Sequence, residues 1–315
     1  LKKKPEVAKN LEDVYEQNDS VLRNLFSFTD AMLDIKGYTG SQDFARNFPF
    51  VPYQFIIMQK VFAEIRKHGN SGKHLSGGER SMLSGFQEAA QKIQEKDEYA
   101  LVPFFRFYDT VHTFLEGSIR RVIERCQKAV DNANGIEAQD VDVLKLLYLI
   151  RYIDSDIRGT IDNIVILMAD DIRADKVILR EGIKKSLDRL LSQNYIGRSG
   201  DTYNFLTDEE QRIQEDINVI TVDTANIVER ISQKIYGEIY TTKKFRYKKY
   251  DFAFDQYVDN VMTGAPTGGM RLRFITVNTD IEKKNDLYLM PASSGEAIVV
   301  LEESNYYENF EKAMK

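Results

Sequence analysis

The stretch Ala138–Leu206, AQDVDVLKLLYLIRYIDSDIRGTIDNIVILMADDIRADKVILREGIKKSLDRLLSQNYIGRSGDTYNFL, decides the fold. Val141–Ile153 is apolar almost all round, which predicts a buried first helix. Ile161–Met168 predicts a short second helix. Lys176–Leu191 predicts a third, with Leu179, Ile183, Leu187, Leu190 and Leu191 on one face at helical spacing. The period then changes. Tyr195–Arg198 and Tyr203–Leu206 are short alternating runs around Ser199, Gly200 and Asp201, the pattern of a β-hairpin with a glycine-containing turn. Thr207 and Glu210 form a capping box, so a new helix starts there. Three helices, a two-stranded wing and a further helix predict the winged form of the helix-turn-helix.

Working outward, the chain of 315 residues suits about two or three domains. A hydrophobic share of 43% supports packed cores, and 29% charged residues suit a solvated surface. The net charge of -6 and pI near 5.4 argue against a wholly basic nucleic-acid coat but leave room for a local basic face. Cys126 is the single cysteine, so no internal disulfide forms, which fits a reducing, cytoplasmic setting. With His68, His74 and His112 scattered, the sequence offers no zinc constellation. No uncharged run reaches the roughly 18 residues a membrane helix needs, and no signal peptide opens the chain. The start at Leu1 and the polar tail are read as those of a piece of something longer.

Before the winged unit, Pro5 to about Asp34 is helical in pattern, with a break expected at Asn18–Ser20 and an end at Gly37 and Gly40. Asp43–Phe50 reads as an aromatic connector. A helix from Pro52 to His68 should use Phe55, Met58, Gln59, Phe62 and Ile65 as its face. Ser76 and Glu79 form another capping box, opening a helix to about Glu95 with Arg80 just inside it. A helix N-terminus beside an arginine suits a phosphate, and a well-capped surface helix is the plain alternative. The letters of Leu75–Glu79 match the ABC-type signature loop, but no P-loop supports them. Gly69–His74 has Lys67 and His74 where glycine and Ser or Thr belong, and no lysine follows Gly264–Gly269. Phe104–Ala133 reads as one long helix. On it, an Asp109, His112, Cys126 triad fails, because Cys126 would lie about 21 Å beyond His112 where a nucleophile needs its base within about 3 Å.

After the wing, Thr207 to about Tyr236 reads as one long helix with an isoleucine stripe running from Ile213 to Ile235. Lys243–Tyr250 interleaves five cations with three aromatics, a mixture used on nucleic-acid surfaces; a basic edge strand is the plain alternative. Met270–Val277 and Ala297–Leu301 read as strands, with Gly264–Gly269 as a turn-rich loop.

Three strings resemble a known family: Asn47–Phe55 (NFPFVPYQF), Gly78–Leu83 (GERSML) and Asp109–Leu115 (DTVHTFL). They resemble BrxC, the large P-loop ATPase of bacteriophage-exclusion (BREX) systems, and its relative PglY. The resemblance implies an AAA+-like parent that uses ATP and Mg, with this chain after the nucleotide-binding core and no cofactor of its own. It implies a helical lid in which Arg80 senses the nucleotide γ-phosphate. It also implies other BREX proteins as partners and a homo-oligomeric parent.

The expectation is a mainly α chain. It comprises a helical, AAA+ lid-like domain over 1–136, a winged helix-turn-helix over 137–206, a connecting helix over 207–240 and a small, incomplete α/β domain over 241–315. The expected function is to couple nucleotide state to double-stranded DNA; a protein-interaction scaffold is the alternative. Arg80 is the candidate for nucleotide sensing. The DNA candidates are Lys176, Arg180, Lys184, Lys185 and Arg189 on the third winged-unit helix, Arg198 on the wing, and Lys243, Lys244, Arg246, Lys248 and Lys249 beyond it. Glu181 and Asp188 stand against the helix, as a mixed-charge solvated face would have them.

Overall fold

A computed structural model describes residues 3–28, 35–68, 78–112, 115, 117–280 and 284–315; the side chains of 66, 68 and 78–81 lie outside it. The chain is mainly helical with a C-terminal curled sheet. It divides into two compact units, residues 1–214 and 215–315.

The first unit contains α1 (Pro5–Leu25), α2 (Ser41–Asn47), α3 (Pro52–His68), α4 (Gly78–Gln91), α5 (Tyr108–His112), α6 (Gly117–Asp131), α7 (Ala138–Ile150), α8 (Ile161–Met168) and α9 (Lys176–Ser192). The hairpin β1 (Ile196–Ser199) and β2 (Thr202–Phe205) follows, and then α10 (Asp208–Val219) begins. α3 starts at Pro52 because proline lacks the N–H that a first turn leaves unpaired anyway. It buries Tyr53, Ile57, Met58, Val61, Phe62 and Ile65, whereas Gln59, expected on that face, is exposed. Phe50, Phe86 and Phe107 pack edge-on or tilted, with centroids 4.8 to 6.2 Å apart. Buried Gln54 is satisfied: its amide donates to Val102 O at 2.6 Å and its carbonyl accepts from Val51 N at 3.2 Å.

α7 is the centre of the unit. Val141, Val143, Leu144, Leu146, Leu147, Tyr148, Leu149 and Ile150 are all buried, so its nearly unbroken apolar sequence corresponds to a helix enclosed on most sides. Its start carries a reciprocal capping box between Glu137 and Asp140. The hairpin pairs Ile196 with Phe205 and Ser199 with Thr202, and Gly200 takes a φ of 62° in the turn. A third segment joins it: Tyr203 N donates to Gly159 O at 2.9 Å, and Thr160 bridges to Thr202. The Thr207 and Glu210 capping box is present, with bonds of 2.8 and 3.3 Å. Arg151, at the end of α7, donates to Phe205 O at 2.7 Å and to both oxygens of Glu210, tying three elements to one guanidinium.

Several expected helices differ. α1 runs unbroken through Asn18 and Asp19: Asn18 bonds back to Val14 O and Asp19 pairs with Arg23 four residues on. It stops at Leu25, well before Gly37. Asp43–Phe50 holds a helix, α2, before a cis Phe48–Pro49 bond. The long helix over Phe104–Ala133 is a 3-10 turn (Phe104–Phe107), α5 and then α6, which opens on the poor helix-former Gly117. The helix over Thr207–Tyr236 is broken. Val219, Ile220, Thr221 and Val222 are consecutive β-branched residues, which crowd a helix, and Asp223 caps a new one by accepting from Ala225 N.

In the second unit that new helix is α11 (Thr224–Lys234), extended by a π turn, Ile235–Ile239. The strands are β3 (Lys244–Tyr247), β4 (Tyr250–Val258), β5 (Val261–Thr263), β6 (Met270–Ile275) and β7 (Glu296–Val300), with α12 (Asp286–Ala292) before β7 and α13 (Tyr306–Met314) at the end. β3 and β5 pair antiparallel to β4, while β6 runs parallel to both β4 and β7. Gly269 is required here, since a Cβ would sit 2.1 Å from Ala253 O. Ile227, Val228, Ile231, Ile235, Tyr236 and Val258 form the core, with Phe274, Leu301 and Phe310 against it. Only the later part of the isoleucine stripe, Ile227, Ile231 and Ile235, enters a core, and Ile213 and Ile220 are exposed. The Tyr236 hydroxyl enters the sheet, accepting from Tyr257 N at 3.1 Å and lying 3.0 and 2.9 Å from the carbonyls of Tyr257 and Leu272.

Candidate nucleic-acid interface

α9 is fixed at its start by Asp175, whose side chain accepts from Val177 N at 2.7 Å and Ile178 N at 3.3 Å. Ile183, Leu187 and Leu190 are buried, as their spacing requires, and Leu179 and Leu191 are half-buried. The basic residues divide into two groups. Lys176 Nζ donates to Asn24 O at 3.3 Å, and Arg180 pairs with Asp162. Arg189 is held by Asp140 through two bonds of 2.7 Å and by Glu137 at 3.0 Å. Asp140 is fully buried, and its hydrogen bond holds the Arg189 guanidinium above the usual arginine range against the effect of burial. Lys184 and Lys185 are exposed, and among the described residues neither has an ion-pair partner. Val177, Ile178, Glu181 and Asp188 share the exposed surface of the helix.

On the hairpin, Arg198 Nε donates to Gly200 O at 2.9 Å and its guanidinium lies 5.4 Å from the Tyr203 ring centroid. Asp201 in the turn pairs with Arg158 at 2.8 Å. The second basic stretch lies in the other unit. Lys244 and Arg246 are on β3, Lys248 and Lys249 make the turn to β4, and Lys243 precedes β3; all are exposed. Lys248 takes a φ of 54° there. β3 ends the strand order, so the basic edge-strand alternative and the nucleic-acid reading concern the same residues. Arg80 belongs to α4, but its side chain, the Ser76 capping box, Leu75–Gly77 and Gly69–His74 lie outside the described residues.

The Asp109, His112, Cys126 set does not share one helix. Asp109 and His112 are on α5 and Cys126 is on α6. Cys126 is fully buried and burial pushes its thiol up to about 12, the opposite of an activated nucleophile; Asp109 pairs with Lys92. Among the described residues no group of His, Cys, Asp and Glu is placed to hold a metal, and no helix is long and apolar enough to cross a membrane. A cleft of about 770 Å³ between α2, α3 and α4 has Phe50, Phe55, Met82 and Phe86 in its lining together with the amides of Gln59, Gln87 and Gln91.

The C-terminal unit is a mixed sheet backed by helices. Residues 220–315 match the family described as the BREX ATP-binding protein BrxC fourth domain with six-stranded beta sheet. This supports a BrxC-type BREX protein, on a stretch that contains none of the three strings that first suggested it. Five strands of the sheet fall among the described residues. No solved structure matches the chain.

The exposed apolar residues were not singled out in the sequence. Val177 and Ile178 flank the charged positions of α9, and Phe252 extends the aromatic set past Tyr250. Two-residue alternation within each strand, Phe245 with Tyr247 and Tyr250 with Phe252 on either side of the Lys248–Lys249 turn, is the signal that would have found the latter.

Proposed function

We propose that this chain is the part of a BREX phage-defence protein that couples the nucleotide state of its ATP-binding parent to double-stranded DNA through a winged helix-turn-helix. The supporting observation is the order α7, α8, α9 and the β1–β2 hairpin, with Lys184 and Lys185 exposed on α9 and without an ion-pair partner among the described residues. In a winged helix the third helix enters the major groove and the wing lies by the backbone. Lys184, Lys185 and Arg198 are the phosphate contacts in this reading. Arg180 and Arg189 hold the module together, with Lys176 tethered beside them. A second reading has support of its own. Val177 and Ile178 are 70% and 72% exposed in the first turn of α9, an apolar pair suited to a protein partner.

Fluorescence anisotropy with duplex DNA at two salt concentrations separates them. Phosphate binding should weaken steeply with salt, and Lys184→Glu/Lys185→Glu should remove most of it while the helical signal stays. Salt-insensitive binding, or a double variant that binds as well as the parent sequence, favours the protein contact.

A further inference from the structure

We propose that the β3–β4 hairpin is a stacking platform for single-stranded nucleic acid, separate from the duplex contact assigned to α9. Residues directly opposite in an antiparallel pair share a face. Phe245 faces Phe252 and Tyr247 faces Tyr250, so four rings lie on one side of the hairpin. They are 50 to 57% exposed, and none packs on another ring among the described residues. Further along β4 the same face is buried at Phe254 and Val258. The aromatic portion thus lies past the covered part of its own sheet. Lone exposed aromatics need no explanation, but four on one face are a patch.

The charge around the patch selects the occupant. Lys243 precedes the patch and Lys248 and Lys249 lie at its tip, while Lys244 and Arg246 alternate onto the opposite face with the single acid Asp251, in a chain of net charge -6. Lys248 and Lys249 at the tip each place Nζ 5.4 Å from a ring centroid, over Tyr247 and Tyr250. Arg246 is 3.8 Å from Asp251 on the opposite face, so that cation is partly engaged. A partner must be polyanionic and present flat apolar faces. Single-stranded nucleic acid does both, while a duplex keeps its base faces stacked inside. An acidic peptide would satisfy the cations but would leave most of the aromatic area without a flat counterpart.

The test is anisotropy with a labelled oligothymidylate and with a duplex of equal length, on the whole chain. The wild-type chain should bind the single strand. Tyr247→Leu/Tyr250→Leu keeps apolar bulk but removes the rings, and should weaken that binding about five-fold to a hundred-fold. Tyr247→Phe/Tyr250→Phe should retain it. The leucine variant should bind the duplex as the wild-type chain does, so failure of the α9 reading is separable from failure of this one. The proposal is overturned if the wild-type chain does not bind the single strand, if the leucine variant binds as wild type, or if the leucine and phenylalanine variants lose binding alike.

Discussion

Arg189 shows how a residue can have the right charge in the right helix and serve the interior. From the sequence it sits one turn beyond Lys185 on a basic face. In the fold it reaches Asp140, 49 residues earlier and fully buried. Removing the guanidinium would strand a buried carboxylate that also caps α7 by accepting from Glu137 N. Arg189→Ala is expected to cost about 3 kcal/mol of stability, read as a lower denaturation midpoint in urea. Arg189→Lys should recover part of it, because an ammonium cannot make both bonds. An unchanged midpoint for the alanine variant would show that the pair contributes nothing. The apolar face of α9 was legible because its period is local. The partners of Arg180 and Arg189 were not, because Asp162 and Asp140 come from other helices and no spacing rule links them.

At the scale of elements, legibility followed the same line. α3, α8, α9 and the β1–β2 hairpin were readable almost to the residue, while α7, expected over Val141–Ile153, starts and ends three residues earlier because an almost wholly apolar run marks neither boundary. The expected helices over 104–133 and 207–236 were too long, because an apolar stripe continued in sequence across a helix end, whereas α2 was missed and the expected break in α1 is absent. At 219–222 the stripe was sound but the β-branched run was the stronger term. What the sequence could not show at all was the close approach of the hairpin to the α7–α8 connection. A Cβ on Gly159 would lie 2.4 Å from Tyr203 O. Gly159→Ala should therefore push β2 away and cost about 1–3 kcal/mol. Hydrogen exchange at the Tyr203 amide, which bonds to Gly159 O, should quicken in the variant; unaltered exchange and stability would mean the connection yields without moving the strand.

For the molecule as a whole, the two units carry different parts of the reading. The second is where the family match lies, and the first holds the three strings and the α7–α9 helices with their hairpin. We propose that Arg80, at the start of α4, senses the nucleotide in the parent protein. Arg80→Ala should then lower ATP turnover of the full-length protein while this chain remains folded, as judged by its circular dichroism. Unchanged turnover would return Arg80 to an ordinary place in a surface helix. The π turn in the second unit has its own consequence. A π turn holds one residue more than the α turn it replaces, so it is equivalent to a single-residue insertion in a helix. A helix can lose such a residue and close again. Here that would rotate Tyr236 away from the amide of Tyr257 and the carbonyls beside it, where phenylalanine would fill the space but offer no hydroxyl. The length of this segment is thus set by the sheet it leans on, and not by the helix to which it belongs.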